Sequence, residues 1–444
     1  MSDGDTIAAL ATAPGRAGVA VIRLSGPVAS DALRRLAGRV PPPRRMSRAM
    51  LRDPTGGAAL DDALVALFPG PASFTGEDVA EFHVHGGRAV VAAVLGALCR
   101  VPGVRPAEPG EFTRRAFLND RLDLTAAEGI LDLVDAETEA QRRQALRQAG
   151  GALASLAEGW RAALVMAMAR LEAWIDFPEE DLPPEVLDTV ADGLDGLAVD
   201  LAGHLADAGR GERLREGLRM AIVGPPNAGK SSLLNWLANR DVAIVSASAG
   251  TTRDVLEVYL DIGGYPATVA DTAGLRETAD SVEAEGVRRA LARAEEADLR
   301  LVVVDWSAGE AERRAVDGWL GADAILIANK IDRQSGAPPS DPWIPVSVST
   351  GAGLDRLLQR IAGELEARMG LRDTPLLTRE RHRRAVEEAL DGVRRGLDGL
   401  RTGLPLELPA EDLRLAARAL GRITGKVDIE ELLDVIFREF CLGK

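Results

Sequence analysis

Apolar positions along this chain change their spacing three times, and each change marks a different kind of element. Up to about residue 120 they come in short runs, GVAVIRLSG, DALVALFPGP and DVAEFHVHGG, bounded by turn-forming residues. That pattern predicts strands set between turns, an α+β domain. From LNDRLDLTAAEG to about Gly217 apolar residues recur every three or four positions, which predicts helices broken chiefly at the acidic, proline-rich bend DFPEEDLPPE. At LRMAIVGPPNAGKSS a continuous apolar run leads into a glycine-rich loop and a helix start, the opening of a parallel α/β sheet. Further strands are predicted at YPATVADTAG, LRLVVVDW, AILIANK and WIPVSVS. Beyond about Pro375 helical spacing returns and lasts to the end, with Asp428 and Glu431 spaced as a capping box ahead of LLDVIF.

The expected architecture is multidomain. It has an α+β domain over 1–120, helical segments over 121–216 and 376–444, and an α/β P-loop domain over 217–375. Because the ends of a domain often lie close together, the nucleotide domain is read as an insertion into one discontinuous helical domain. No internal repeat interrupts this scheme.

Composition narrows the class. A net charge of −15 argues against a protein whose whole surface binds nucleic acid through phosphates. The basic runs Arg142–Arg143 and RERHRR (379–384) are read first as solvated helix faces. Cys99 and Cys441 are the only cysteines and no CxxC occurs, which excludes a disulfide framework and a structural zinc site. The acidic N-terminus MSDGDT lacks the basic region of a secretory signal, and no apolar run reaches the ~18 residues of a membrane span. A cytoplasmic protein with no membrane partner is expected.

GPPNAGKS, residues 224–231, fits G-x-x-x-x-G-K-[ST] between a predicted strand and a helix. In such a loop the backbone N–H groups of Asn227, Ala228, Gly229, Lys230, Ser231 and Ser232 wrap phosphates. Lys230 reaches the β and γ oxygens and Ser231 offers its hydroxyl to Mg²⁺. NKID follows the strand AILIA, and the Asp332 carboxylate can accept from both N1–H and the exocyclic amine of guanine, donors that adenine lacks. GTP or GDP is therefore the expected nucleotide, with Asn329, Lys330 and Asp332 reading the base. Ser347, Val348 and Ser349 lie where this superfamily usually carries S-A-[KR]. AGTTRD (249–254) is the expected switch loop, with Thr252 as the second hydroxyl for Mg²⁺ and Thr251 beside it. In DTAGLRE, Asp271 completes the metal shell through water, and Thr272, Ala273 and Gly274 sense the γ-phosphate. The next residue is Leu275, where many such hydrolases place a glutamine that orients water, so the chemistry must come from elsewhere.

With these motifs in this order, the chain resembles the MnmE (TrmE) family of tRNA-modifying GTPases over essentially its whole length. The resemblance is carried by FPGPASFTGEDV, PGEFTRRAFLNDRLDL, GPPNAGKSSLLN, AIVSASAGTTRD, DTAGLRE and the terminal CLGK. Two departures stand out: Leu442 replaces the usual isoleucine of C-I-G-K, and Arg121 stands where a lysine is commoner. The resemblance implies a homodimer that joins an FAD-dependent, MnmG-type partner in a heterotetramer. Together they would add an aminomethyl or carboxymethylaminomethyl group at C5 of the wobble uridine of certain tRNAs. It further implies 5-formyltetrahydrofolate or a related reduced folate as one-carbon source, held by Arg23, Glu81, Arg121 and Lys444, with FAD on the partner. Cations suit the terminal carboxylates of a folate, and an acid can accept from pterin N–H groups. Cys441 is read either as a thiol in the modification chemistry or as a buried small residue on the last helix.

The resemblance also implies a substitute for the missing glutamine. Asn227 would lend its amide oxygen to K⁺, with carbonyls around Ser246, Ser248 and Thr251 closing the cage and Ala247, Ala249 and Gly250 completing the nucleotide-facing loop. The cation would sit against the β and γ phosphates where other systems insert an arginine. Glu283, in SVEAEGV, would orient the attacking water. The competing class is a GTP-dependent ribosome or RNA assembly switch, which shares the phosphate loop and NKID but usually appends a basic RNA-binding domain. His83 and His85 share one strand face without an evident third metal ligand, and Trp160 and Trp174 fit helical core packing.

Overall fold

In this computed structural model the described residues are 4–176, 185–239, 243–244, 257–270, 297–334, 339, 341–370, 377–427, 433, 436–437, 440 and 443. They form two compact units. One comprises Met1–Leu131, Ala149–Arg161 and Leu420–Lys444, the other Asp132–Gln148 and Ala162–Ala419.

The first unit is built on six strands: β1 (Thr6–Leu10), β2 (Ala17–Ser25), β3 (Ser47–Arg52), β4 (Ala59–Phe68), β5 (Val79–Gly86) and β6 (Val104–Pro106). Their order is β3-β4-β5-β2-β1-β6. Only β6 runs parallel to its neighbour. Side chains alternate between the faces of a strand, so Ala20, Ile22 and Leu24 of β2 and Ala80, Phe82 and Val84 of β5 point into one core. There they meet Ala32, Leu33 and Leu36 of α1 (Ala29–Ala37) and Val94, Ala97 and Leu98 of α2 (Arg88–Cys99). Truncating the fully buried Phe82 to alanine would cost about 3–5 kcal/mol. The same alternation sends Arg23 and Glu81 to the opposite face. Next come α3 (Glu111–Leu118) and the start of α4 (Leu124–Asp135), where Phe117, Leu124, Ala127 and Leu131 pack with Leu433, Ile436, Phe437 and Phe440. The end of the chain is thereby folded against the N-terminal unit.

The helices expected from the middle of the sequence are α5 (Glu139–Ala149), α6 (Ala152–Asp176), α7 (Glu185–Ala206) and α8 (Ala208–Glu216). By length and composition α6 could cross a membrane. Its buried Leu153, Ala157, Trp160, Leu164, Ala167 and Leu171 recur at the three- and four-residue spacing of a core helix.

The second sheet contains β7 (Leu218–Val223), β8 (Ala243–Ile244), β9 (Glu257–Ile262), β10 (Tyr265–Ala270), β11 (Leu299–Asp305), β12 (Ala324–Asn329) and β13 (Trp343–Pro345). Its order is β13-β12-β11-β7-β10-β9-β8. Strands β13, β12, β11, β7 and β10 are parallel, while β9 and β8 add antiparallel pairs at one edge. One face is covered by α8, α9 (Lys230–Ala238) and α11 (Leu354–Met369) through Leu214, Leu233, Leu237, Leu357 and Ile361; a short α10 spans Glu310–Arg314. The strand expected over WIPVSVS is shorter than its apolar pattern suggests. It pairs with β12 through Pro345, after which Ser347 N–H bonds the Ala352 carbonyl and turns the chain.

After the sheet come α12 (Glu380–Thr402) and α13 (Glu407–Thr424). Gly392, Gly396 and Gly399 of α12 let Ala416, Leu413 and Pro409 approach its backbone. The RERHRR run is largely tied to acids: Arg379 bonds Asp132 at 2.7 Å with both side chains mostly buried, Arg383 bonds Glu212 and Glu387, and Arg384 bonds Glu380. Arg142 and Arg143 both bond Glu139, whose carboxyl they hold down at about 2.

Candidate functional site

In an open parallel sheet the carboxyl ends of the strands form the binding edge, and the nucleotide motifs of the second unit gather there. The phosphate loop leaves β7 at Gly224 and enters α9 at Lys230. Asn227 adopts a left-handed φ of +58°, which turns successive peptides around the loop. Lys230 Nζ donates to the carbonyls of Gly224 and Pro225 at 2.9 and 2.8 Å, so the ammonium lies over the loop. Ser231 and Ser232 are exposed in the first turn of α9, where free N–H groups and the helix dipole favour anions.

The NKID segment leaves β12 and is bonded to that loop. Asn329 Nδ2 donates to the Ala228 carbonyl at 2.8 Å, and its Oδ1 accepts from Val348 N–H at 3.3 Å. Lys330, also left-handed with φ +61°, donates to the Asn227 carbonyl at 2.6 Å. Ser347 Oγ donates to Asp332 Oδ1 at 2.6 Å and lies 3.0 Å from Ser349 Oγ. The Ser347 hydroxyl thus holds the Asp332 carboxyl below its ordinary range, against a smaller opposing push from burial. A carboxylate kept ionised and oriented is what recognition of two guanine donors requires. Ser347 keeps the serine of S-A-[KR] and turns its hydroxyl to Asp332, while Ser349, in place of the basic residue, lies against that hydroxyl.

Asp305, at the end of β11 and outside the sequence motifs, meets Lys330 at 2.7 Å. An acid closing the apolar run LVVV was the available signal. Ser246, Ala247, Ser248, Ala249, Gly250, Thr251, Thr252, Asp271, Thr272, Ala273, Gly274 and Glu283 lie outside the described residues, as do Cys441 and Lys444.

In the first unit, Arg23 and Glu81 are register partners on β2 and β5. Arg23 Nε and Nη2 both donate to Glu81 Oε1, at 3.0 and 2.9 Å. His83 Nε2 lies 3.2 Å from Oε2 of the same carboxylate, and the Phe74 ring sits under the Arg23 guanidinium at 5.5 Å. The loop carrying Phe74 also meets Arg121, since a methyl at Gly76 would stand 3.3 Å from Arg121 Cγ. The loop is held by Ser25 Oγ, which bonds Thr75 Oγ1 and Glu77 Oε2, each at 2.6 Å, and by Arg115, which bonds Glu77, Asp5 and Glu111. Gly443 touches the backbone of Leu10 and Ala11 at the end of β1 so closely that a side chain would collide with them. Gly443 therefore lies one strand away from Arg23. His83 and His85 are each drawn to a carboxylate, Glu81 and Asp61. Cys99 is part-buried at the end of α2, and burial pushes its thiol pKa up.

A parallel sheet whose strand ends carry a phosphate loop joined to NKID defines a P-loop GTPase. The family model described as "MnmE helical domain" matches residues 124–441, and that described as "GTP-binding protein TrmE N-terminus" matches residues 6–121. The chain is 58% identical over 460 residues to the tRNA modification GTPase MnmE of Rhodospirillum rubrum, covering 99% of each chain. It is 56% identical over 441 residues to the protein of that name from Parvibaculum lavamentivorans, covering 99% of this chain and 100% of the other. Among solved structures, the G domain of the T. maritima FeoB iron transporter aligns with 33% of this chain and 97% of its own at 26% identity and a TM-score of 0.27. This chain belongs to the MnmE family of tRNA modification GTPases.

Proposed function

We propose that the chain is a K⁺-stimulated GTP hydrolase. As a homodimer joined to an FAD-dependent, MnmG-type partner, it adds an aminomethyl or carboxymethylaminomethyl group to C5 of the wobble uridine of certain tRNAs, using a reduced folate as one-carbon source. The observation that carries this reading is the bonding of Asn329 and Lys330 to the Ala228 and Asn227 carbonyls, with Asp332 oriented by Ser347. These bonds bring the residues assigned to base reading and to phosphate binding together at the strand ends.

Within that site each residue has a task. Lys230 and the N–H groups of residues 227–232 neutralise and align the phosphates, and Asp332 selects guanine. The Asn227 carbonyl accepts from Lys330, and its exposed side chain offers a cation a further, neutral amide oxygen. That fits K⁺, which prefers neutral oxygen donors, and the exposed Ser231 hydroxyl fits Mg²⁺. When bound, these ions offset negative charge developing between the β and γ phosphates. Glu283 is assigned to orienting water in place of the absent glutamine. In the first unit Arg23, Glu81, Arg121 and Lys444 supply the charges that suit a folate, and Phe74 adds an aromatic face to the Arg23 guanidinium.

Two measurements test the reading. GTP turnover should fall sharply when Na⁺ replaces K⁺ at constant ionic strength, and equal rates would remove the K⁺ role. Mass analysis of tRNA wobble nucleosides should show loss of the C5 modification in a strain lacking this chain; unchanged nucleosides would favour the assembly-switch class.

A further inference from the structure

Asp305 ends β11 as the register partner of Asn329 on β12, and its two carboxylate oxygens serve different groups. Oδ1 accepts from the N–H and the hydroxyl of Ser307, at 3.0 and 2.6 Å. Oδ2 holds Lys330 Nζ at 2.7 Å, in a pair whose side chains are only 14% and 22% exposed. The same ammonium donates to the Asn227 carbonyl. Both Lys330 and Asn227 adopt a left-handed backbone, a conformation disfavoured for residues with a side chain and retained only where neighbours enforce it. A lysine is a long, flexible stem with three rotatable donors, so its position on one carbonyl needs a second restraint. Burial pushes the Asp305 carboxyl up, but Lys330 and Ser307 outweigh it and hold the group ionised.

We propose that Asp305 is a positioning residue for nucleotide binding: it sets the Lys330 ammonium on the Asn227 carbonyl and so couples the loop that reads the base to the loop that wraps the phosphates. The inference rests on the reading of GTP as the nucleotide of this site. Asp305 itself touches the Lys330 and Ser307 side chains and acts on the ligand through Lys330. The Ser307 bonds orient the carboxylate, so Ser307 contributes more weakly and in the same direction.

The test is a double-mutant cycle on the full chain, read by the Kd of a fluorescent GDP and by melting temperature. Asp305→Asn is expected to weaken GDP binding about tenfold, the worth of one charge-assisted hydrogen bond. In the Lys330→Met background the same change should cost nothing further, because Asp305 has lost the group through which it acts. An equal cost in both backgrounds, or an unchanged Kd in the single variant, would overturn the inference and leave Asp305 as a strand-end brace. Should Asp305→Asn lose its cooperative melt, Ser307→Ala takes its place, with a weakening of about twofold to threefold confined to the Lys330 background. The same weakening in the Lys330→Met background would again overturn it. A wild-type chain that bound no GDP would strike the nucleotide reading itself and the inference with it.

Discussion

Asn329 Nδ2 and the carbonyl of Ala228, 101 positions apart in sequence, are joined by a 2.8 Å hydrogen bond that spans the two loops of the nucleotide site. The contact passes directly over Gly229. A Cβ there would stand 2.2 Å from Asn329 Nδ2, and the residue has a φ of +100°. Gly229→Ala therefore strains the backbone and displaces Asn329. The combined loss should be about 2–4 kcal/mol, a GDP affinity reduced at least about thirtyfold. Titration with fluorescent GDP checks this, with the melting temperature confirming that the sheet is intact.

Asp332→Asn tests base reading. The carboxylate accepts from two guanine donors, whereas an amide presents an N–H₂ that suits a carbonyl at the same ring position. GDP affinity should fall by about 1.5–3 kcal/mol while xanthosine diphosphate gains. Competition between the two nucleotides measures the switch, and a parallel loss for both would mean that Asp332 does not read the base.

Arg23→Ala tests the first unit. It removes the guanidinium bonded to Glu81 and stacked on Phe74. Binding of 5-formyltetrahydrofolate should weaken about tenfold or more, with GDP binding unchanged. Calorimetry on the full chain separates the two ligands, and an unaltered folate affinity would remove Arg23 from that site.

Acid should unfold the N-terminal unit through Glu111. Burial alone would raise this carboxyl, but Arg105, the Glu108 N–H and Arg115 together hold it below its ordinary 4.5. The hydrogen bond from Arg105 likewise lowers Asp5 against the opposing push of burial. A carboxyl lowered by folding adds stability that is fully present above its unfolded pKa and is lost as pH falls through the folded value. Melting temperature should thus drop as the pH goes below about 4.5, the ordinary value of this carboxyl. Glu111→Gln should lower stability near neutrality by about 3 kcal/mol, as expected when one partner of a buried pair is removed, and flatten the acid limb. An acid limb of wild-type slope in that variant would place the linkage elsewhere.

Much of the fold was legible because its signals are local. The apolar run LRMAIV, the glycine-rich turn and the helix start occupy consecutive residues, so β7, the phosphate loop and α9 follow from periodicity and turn chemistry. LRLVVVD and AILIAN read as strands for the same reason. The short edge pieces β3 and β6 and the antiparallel β8 and β9 were not legible. Their formation depends on pairing with strands far away in sequence, which a local pattern does not encode. The basic run RERHRR gave a misleading surface signal, because the acids that occupy Arg379 and Arg383 lie on helices 170 or more residues earlier.

By itself the sequence determined the chemistry on offer at the nucleotide site: a lysine and hydroxyls at a phosphate loop, and an aspartate suited to guanine. Residue type and short spacing decide such things, since they fix which donors and charges exist. Tertiary structure alone decided which of them act together. Register placed Glu81 opposite Arg23, parallel pairing of β11 with β12 placed Asp305 on Lys330, and packing of Phe437 and Gly443 returned the chain end to β1. Hydrogen bonds of about 3 Å and the close approach of backbones are set by strand pairing and core packing between segments 25, 58 or more positions apart, separations over which residue order carries no geometry.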